Sequence, residues 1–284
     1  MPFNFKNILF MDVPQKVVSL ENIKNIVSDK GAKRINFAST HATALSSYKK
    51  EWKIKLPFRD SVLPLIKKEI RTDISLFDSK FEGGVWRSIT NDEYSYWNNF
   101  ISCYKDVVFL RDTLDISLSL SMNIIDDESR TEIGELEYQA KYHKNSDAEK
   151  SLVALCADWI NKLPYYKDAD LICAVPSSTP NNLPQRIVEK LSITAKNIST
   201  DISWTSKTRA VKDAENIDDK ISILEESGLD IKNIPQLKGK IVILFDDLYM
   251  SGVTLQYIAM KLKEAGAQRV LGLTIVKSRS NSTI

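Results

Sequence analysis

The stretch IVILFDDLYMSGVTL occupies residues 241–255 and carries the clearest structural signal in the chain. It opens with a strand predicted over Lys240–Phe245, and the unbroken apolar run in it is typical of a strand buried on both faces of a parallel sheet. Two adjacent carboxylates, Asp246 and Asp247, follow this strand directly. They are therefore expected at the carboxyl edge of the sheet, where α/β proteins bind their ligands.

A short loop and a helix follow the two carboxylates. The loop Leu248–Gly252 leads into a helix predicted over Thr254–Ala265, and Gly266 stands where a C-terminal cap glycine belongs. Backbone N–H groups and the dipole at such a helix start form an anion site, to which Ser251 adds a hydroxyl. Paired carboxylates beside such a site suit a ligand with vicinal hydroxyls and a phosphate, as in a ribose 5-phosphate.

Strands and helices alternate on both sides of this stretch. A continuous apolar run predicts the strand Asp170–Val175, and a capping box formed by Ser146 and Glu149 predicts the start of a helix. The remaining predicted elements are the helix Leu183–Leu191 and the strands Ile198–Trp204 and Arg269–Val276. This alternation predicts an α/β fold with a mostly parallel, twisted sheet flanked by helices.

The first part of the chain predicts an additional α/β region. Its predicted elements are an apolar run over Ile8–Val13, helices over Ser19–Asp29 and Asp92–Cys103, and strands over Arg34–Ala38 and Val107–Leu110. The polar stretch Ile125–Gly134 is the best candidate for a boundary. We therefore expect an N-terminal region over residues 1–124 and a second domain over residues 125–284.

Composition excludes several classes of protein. The 284 residues include 39 Lys and Arg against 37 Asp and Glu, and a net charge of +2 disfavours a polyanion as the main ligand. The longest purely apolar run, Ile241–Phe245, is far shorter than the roughly 20 residues that span a bilayer. Three cysteines and two histidines disfavour zinc ribbons and fit a reducing compartment. The expected protein is soluble and cytoplasmic, with no membrane association.

Residues 241–255 resemble the signature of type I phosphoribosyltransferases, an apolar strand followed by paired acids and a Thr-Thr-Gly-x-Thr loop. The resemblance implies that Asp246 and Asp247 hold the ribose hydroxyls of phosphoribosyl pyrophosphate (PRPP). It also implies that the loop binds the 5′-phosphate through Leu248, Tyr249, Met250, Ser251, Gly252, Val253 and Thr254. Met250 departs from the usual threonine, whereas Ser251 keeps a hydroxyl group.

Within that family the chain is most similar to ComF-like proteins, over residues 133–278. The similarity includes Gly134, Tyr138 and the pair Lys141-Tyr142, and also the sequence GAQRV at residues 266–270. The cysteine-rich ribbon of those proteins is absent, so no structural zinc is expected. By resemblance, the pyrophosphate loop consists of Pro176, Ser177, Ser178 and Thr179, with hydroxyls and amides but neither a Gly-Gly pair nor a basic residue.

The resemblance implies transfer of a phosphoribosyl group from PRPP to an unidentified nucleophile, with release of pyrophosphate. Mg²⁺ would be bound through PRPP rather than at a metal site of the protein. The polar segment over residues 205–216 stands where these enzymes carry a flexible catalytic loop, and Lys207 and Arg209 would meet the pyrophosphate there. A solvated surface loop is the alternative interpretation of the same residues.

Two further functions stay open at this stage. A non-catalytic module that senses PRPP or a nucleotide would keep the paired acids, and it would control a partner through residues 1–124. A nucleic-acid-associated protein would use the mixed aromatic and basic residues of the same region. We therefore expect residues 1–124 to contact a protein partner or a second copy of the chain, whereas nucleic acid is the less favoured ligand.

Overall fold

The computed structural model describes residues 13–37, 45–48, 51–67, 70, 75–78, 84–126, 129–206, 209 and 211–279. The predicted run Ile8–Val13 lies outside these residues, apart from Val13, which is buried. Among the helices within these ranges, none combines the length and the apolarity that crossing a bilayer requires.

Strands and helices alternate along most of the chain. The described strands are β1 Arg34–Asn36, β2 Leu45–Tyr48, β3 Glu51–Leu56, β4 Phe77–Asp78, β5 Val85–Ile89, β6 Val108–Leu110, β7 Ile116–Met122, β8 Leu171–Ala174, β9 Lys196–Asn197, β10 Ile202–Trp204, β11 Leu229–Ile231, β12 Ile241–Tyr249 and β13 Arg269–Lys277. The described α-helices are α1 Leu20–Ser28, α2 Arg59–Val62, α3 Asn91–Cys103, α4 Glu132–Tyr142, α5 Ser146–Lys162, α6 Leu183–Lys190, α7 Ile217–Ser227 and α8 Val253–Glu264.

A seven-stranded sheet in the order β1-β6-β7-β13-β12-β8-β9 forms the centre of the molecule. Strands β7, β13, β12, β8 and β9 run parallel to one another, whereas β6 and β1 continue one edge in antiparallel pairing. The predicted α/β fold with a mostly parallel sheet flanked by helices is thereby confirmed. Two smaller antiparallel sheets, β2-β3-β5-β4 and β10-β11, lie outside it.

Strand β12 is buried on both faces, as its apolar run predicts. Ile243 and Phe245 belong to the hydrophobic cluster that contains Leu152 and Ile160 of α5. Val242 and Leu244 alternate with them and belong to the cluster that contains Ile258 and Leu262 of α8. Because successive side chains of a strand point to opposite faces, helices on both sides of the sheet bury this one strand.

The central sheet contains strands from both sides of the predicted domain boundary near residue 125. Strand β7 precedes that boundary and pairs in parallel with β13, from Ile116 opposite Leu271 to Met122 opposite Lys277. Strand β7 was not predicted from the sequence, and its ISLSLSM pattern alternates apolar residues with serine. These serines are nevertheless buried, and Ser119 Oγ is hydrogen-bonded to Thr274 Oγ1 of β13.

Three local expectations need correction. The N-cap of α5 is Asn145, whose side chain accepts hydrogen bonds from two backbone N–H groups, so the predicted capping box of Ser146 is wrong. Strand β12 continues to Tyr249, so Asp246 and Asp247 lie within the strand rather than beyond it. The strand predicted over Ile198–Trp204 begins only at Ile202, after a 3₁₀ turn.

Candidate ligand-binding site

The two adjacent carboxylates lie near the carboxyl end of β12 and differ in their surroundings. Asp247 is buried, and its Oδ2 lies 2.9 Å from the Nζ of Lys141 on α4. Asp246 is half-buried, and its Oδ1 accepts a hydrogen bond of 2.9 Å from the backbone N–H of Asp247. The strand therefore presents one buried acid that is held in an ion pair and one that is half-buried.

Lys141 connects Asp247 with a second buried acid. Its Nζ lies 3.4 Å from Oε1 of Glu137, one turn earlier on α4. Burial by itself would lower the pKa of Lys141, but the carboxylates of Asp247 and Glu137 raise it above its ordinary value. Burial raises the pKa of Glu137, against the attraction of Lys141. The cluster therefore places a firmly protonated ammonium beside the paired acids.

A large cavity of about 730 Å³ opens beside Asp246 and Asp247. Its walls come from the junction of α4 and α5, the turn after β8, the start of α6 and Thr254 of α8. The charged residues that line it besides the two aspartates are Lys141, Lys144, Glu149, Lys150, Arg186 and Lys190. Bases outnumber acids in this second group, so the cavity suits an anionic ligand of the size that small-molecule sites hold.

The predicted pyrophosphate loop forms part of this cavity wall. Ser177 and Thr179 line the cavity, whereas Ser178 is exposed and is not among its described lining residues. The indole N–H of Trp204 donates a hydrogen bond of 2.8 Å to the carbonyl of Pro176, and Ser177 Oγ accepts one of 3.1 Å from the N–H of Thr179. These bonds fix the turn, and the basic residues Lys141 of α4 and Lys150 of α5 line the same cavity.

Arg186 is a structural residue in this wall. Its Nε donates to Oε2 of Glu149 at 2.8 Å, and its two terminal nitrogens donate to the carbonyls of Asn181 and Ala140. Glu149 also forms an ion pair with Lys190. These contacts join α6 to α4 and α5, so the guanidinium holds the cavity wall together rather than standing ready for a ligand.

A smaller cavity of about 220 Å³, here called the loop cavity, lies at the start of α8. All seven residues predicted to bind phosphate, 248–254, line it. Val211, Lys220, Thr274 and Ser278 complete much of the wall. Gly252 has φ of 75° and caps the helix, so the chain turns there in a conformation that favours glycine.

Tyr249 packs against the turn at Gly252. Its hydroxyl donates a hydrogen bond of 3.1 Å to Oδ2 of the buried Asp112. Burial, together with the charge of Asp112, raises the pKa of Tyr249 well above its ordinary value. A β-carbon at Gly252 would lie 2.1 Å from this hydroxyl, so the ring and the glycine fit closely. Tyr249 therefore shapes the loop, whereas Met250 at its tip is 55% exposed.

Of the two basic residues predicted to contact pyrophosphate, the structure describes Arg209. Arg209 forms a two-pronged ion pair with Asp219, at 2.9 and 3.0 Å, and also donates to the carbonyl of Asp213. It is not among the described residues that line either cavity. Lys207 lies outside the described residues.

Lys220 is a residue of the candidate site that was not predicted from the sequence. It occurs in the polar sequence NIDDKISIL and resembles a surface residue of a charged helix start. The spacing of its apolar neighbours could have indicated its position. Ile217 lies three residues before Lys220, Ile221 directly after it and Leu224 four residues after it, so these residues form an apolar stripe beside the lysine. The helix consequently carries Lys220 inward, where it is 6% exposed.

Across the described ranges, no group of three or more His, Cys, Asp or Glu side chains is arranged to hold a metal ion. Mg²⁺ bound with substrate phosphates needs few protein ligands, and Asp246 at the wall of the large cavity fits the role of one carboxylate ligand. No protein-family model matches this chain, and no curated protein matches it.

Proposed function

We propose that the protein binds PRPP with Mg²⁺ and transfers its phosphoribosyl group to a nucleophile. The observation that carries this proposal is the position of Asp246 and Thr254, which line both the large cavity and the loop cavity. PRPP has a phosphate at one end of the ribose, a diphosphate at the other and two hydroxyls between them. A site with Asp246 between two cavities and Asp247 beside it matches that order of groups.

Each chemical group of PRPP would lie beside residues that can bind it. The loop cavity offers hydroxyls and the N-terminus of α8 to the 5′-phosphate. The carboxylates of Asp246 and Asp247 would accept hydrogen bonds from the ribose hydroxyls. The large cavity would hold the diphosphate against Ser177, Thr179 and the ammonium of Lys141, with room left for an acceptor.

The chemistry requires little of the side chains beyond binding and orientation. As the bond from C1 to the diphosphate oxygen lengthens, positive charge develops on the ribose and negative charge on the leaving group. Mg²⁺, when bound, would neutralise part of the diphosphate charge. Lys141 would add to this neutralisation, and the carboxylates would hold the ribose so that an acceptor reaches C1. No histidine base is needed.

Replacing both acids tests the proposed binding site. We expect the double variant Asp246→Asn and Asp247→Asn to lose calorimetric binding of PRPP with Mg²⁺, because amides accept hydrogen bonds from hydroxyls more weakly than carboxylates do. A matched control, Asp92→Asn with Asp158→Asn, removes two exposed acids and should bind PRPP as the wild type does. Equal affinity in the site variant and the wild type would refute the assignment.

Turnover distinguishes the enzyme from the alternative, a non-catalytic PRPP sensor. The ion pair of Arg209 with Asp219 favours the sensor, since it occupies one of the two bases expected at the pyrophosphate. Pyrophosphate release from PRPP is measured with a panel of nucleobases, ammonia and glutamine. Release with one acceptor supports transfer, whereas PRPP binding without release by any of them supports the sensor.

A further inference from the structure

Lys220 of α7 lies at the wall of the loop cavity, opposite the turn that begins α8. Its Nζ lies 3.5 Å from Oγ of Ser251. The side chain lines the cavity and is 6% exposed, so its ammonium group is directed into a confined space. Among the described residues that line this cavity, it is the one with a positively charged side chain.

Packing holds this lysine in place. Its neighbours Ile221 and Leu224 on α7 share a hydrophobic cluster with Val253 and Tyr257 of α8 and Ile23 of α1. Helix α7 is therefore packed directly against the helix whose N-terminus forms the phosphate turn. Because Lys220 belongs to the same helix, this packing holds its ammonium beside Ser251.

An anion bound in the loop cavity would lie beside this ammonium. Burial lowers the pKa of Lys220 below its ordinary value. A phosphate held by the N–H groups of the turn would lie within reach of the ammonium and would accept a charge-assisted hydrogen bond from it.

We propose that Lys220 is a phosphate-binding residue, which completes the loop cavity as a site for a phosphomonoester. The proposal rests on the proposed function for the identity of the whole ligand, but it makes a separate statement about one side chain. Lys220 comes from α7, outside the stretch 241–255, and it supplies the charge that the turn itself lacks. The phosphate would thus be bound between two packed helices.

Binding of ribose 5-phosphate and inorganic phosphate to the full chain tests the proposal by calorimetry. Lys220→Met keeps the length of the side chain and removes the charge, and it should weaken ribose 5-phosphate binding by about tenfold to a hundredfold. Lys220→Arg should recover most of the affinity. Lys24→Met, which removes an exposed lysine near the same helix, should leave the affinity unchanged.

A spectroscopic measurement covers the case in which the methionine variant does not fold. With ¹⁵N-labelled lysine in the wild type, ribose 5-phosphate should shift the Nζ resonance of Lys220 and leave that of Lys24 in place. The proposal is overturned if the Lys220 signal does not respond, if Lys220→Met binds as the wild type does, or if the wild type binds neither phosphate compound.

The outcomes also separate this proposal from the proposed function. If PRPP binds and depends on Asp246 and Asp247 but not on Lys220, the proposed function stands and the role of Lys220 is refuted. If ribose 5-phosphate binding depends on Lys220 while PRPP gains nothing from the two acids, the phosphate site stands. The proposed function then fails, since the ligand is another phosphomonoester.

Discussion

Lys277, the last residue of β13, is a second buried lysine close to the candidate site. It is 2% exposed, and its Nζ donates hydrogen bonds of 2.7 and 3.1 Å to the carbonyl and hydroxyl oxygens of Ser278. Burial, with a smaller effect from the charge of Arg34, lowers the pKa of Lys277 to about 7. The folded chain therefore releases a proton that an unfolded lysine keeps to about pH 10.4.

This difference predicts a pH dependence of stability. Between pH 7 and pH 10 the unfolded state binds one more proton at this position than the folded state, so raising the pH stabilises the fold. The free energy of unfolding of the wild type, minus that of Lys277→Met, should rise by up to about 1.4 kcal/mol per pH unit in this range. Urea unfolding at pH 7, 8 and 9 measures it, and a pH-independent difference would contradict the assigned pKa.

The turn between β12 and α8 is the element on which the loop cavity depends. Gly252 has φ of 75°, and the hydroxyl of Tyr249 fills the space where a β-carbon would stand. Gly239 has nearly the same φ, 73°, but nothing lies within 4 Å of its β-carbon position. Both glycines therefore have a positive φ, whereas only Gly252 has a side chain in the space that a β-carbon would occupy.

Alanine at each glycine should separate these two effects. Gly239→Ala should cost about 1 kcal/mol of unfolding free energy, the strain of a left-handed residue with a β-carbon. Gly252→Ala should cost about 1–3 kcal/mol more, because Tyr249 must move and its hydrogen bond to Asp112 is disturbed. Urea unfolding compares the variants, and equal losses would show that the contact with Tyr249 carries no cost.

At the scale of the whole molecule, residues on both sides of the predicted boundary share one core. All nine residues of β13 are buried, and β7 covers one of its edges. Asp115, fully buried just before β7, accepts hydrogen bonds of 2.8 Å from the backbone N–H groups of Lys16 and Val270. It also forms an ion pair with Lys263 of α8.

These contacts predict that residues 125–284 do not fold alone. Without β7 the edge of β13 loses its backbone hydrogen bonds, and its apolar side chains lose part of their cover. We expect the fragment to lack a cooperative urea transition in near-ultraviolet circular dichroism, whereas the full chain shows one. A cooperative transition in the fragment would establish residues 125–284 as an independent domain.

Several elements of the fold follow from local patterns alone. The apolar run of β12 predicts a doubly buried strand, and the alternation around it predicts a mostly parallel sheet. The helices α1, α3, α6 and α8 lie within one or two residues of their predicted bounds. The pair Asp246 and Asp247 with the turn before α8 was identified in the same way, because strand, acids and turn are contiguous in the chain.

Contacts between distant residues could not be obtained in this way. The apolar and serine alternation of β7 is compatible with a half-exposed strand, and only its partner β13 shows that the serines are buried. Asn145 rather than Ser146 caps α5, and the carboxylate of Glu149 accepts a hydrogen bond from Arg186, 37 residues further along the chain. The contact with Arg186 does not follow from the residues beside Glu149, whereas asparagine is itself a residue type that favours the N-cap position.

In the candidate site, too, some features follow from the local sequence and others from contacts between distant residues. Periodicity and residue order establish a buried strand, two carboxylates towards its carboxyl end and a helix that follows after a short turn, because each of these depends on neighbours in the chain. The two cavities, the ion pair of Lys141 with Asp247 and the approach of Lys220 to Ser251 were decided by folding. They depend on how α4 and α7 pack against the sheet and against α8, and side chains 31 or more residues apart meet only through that packing.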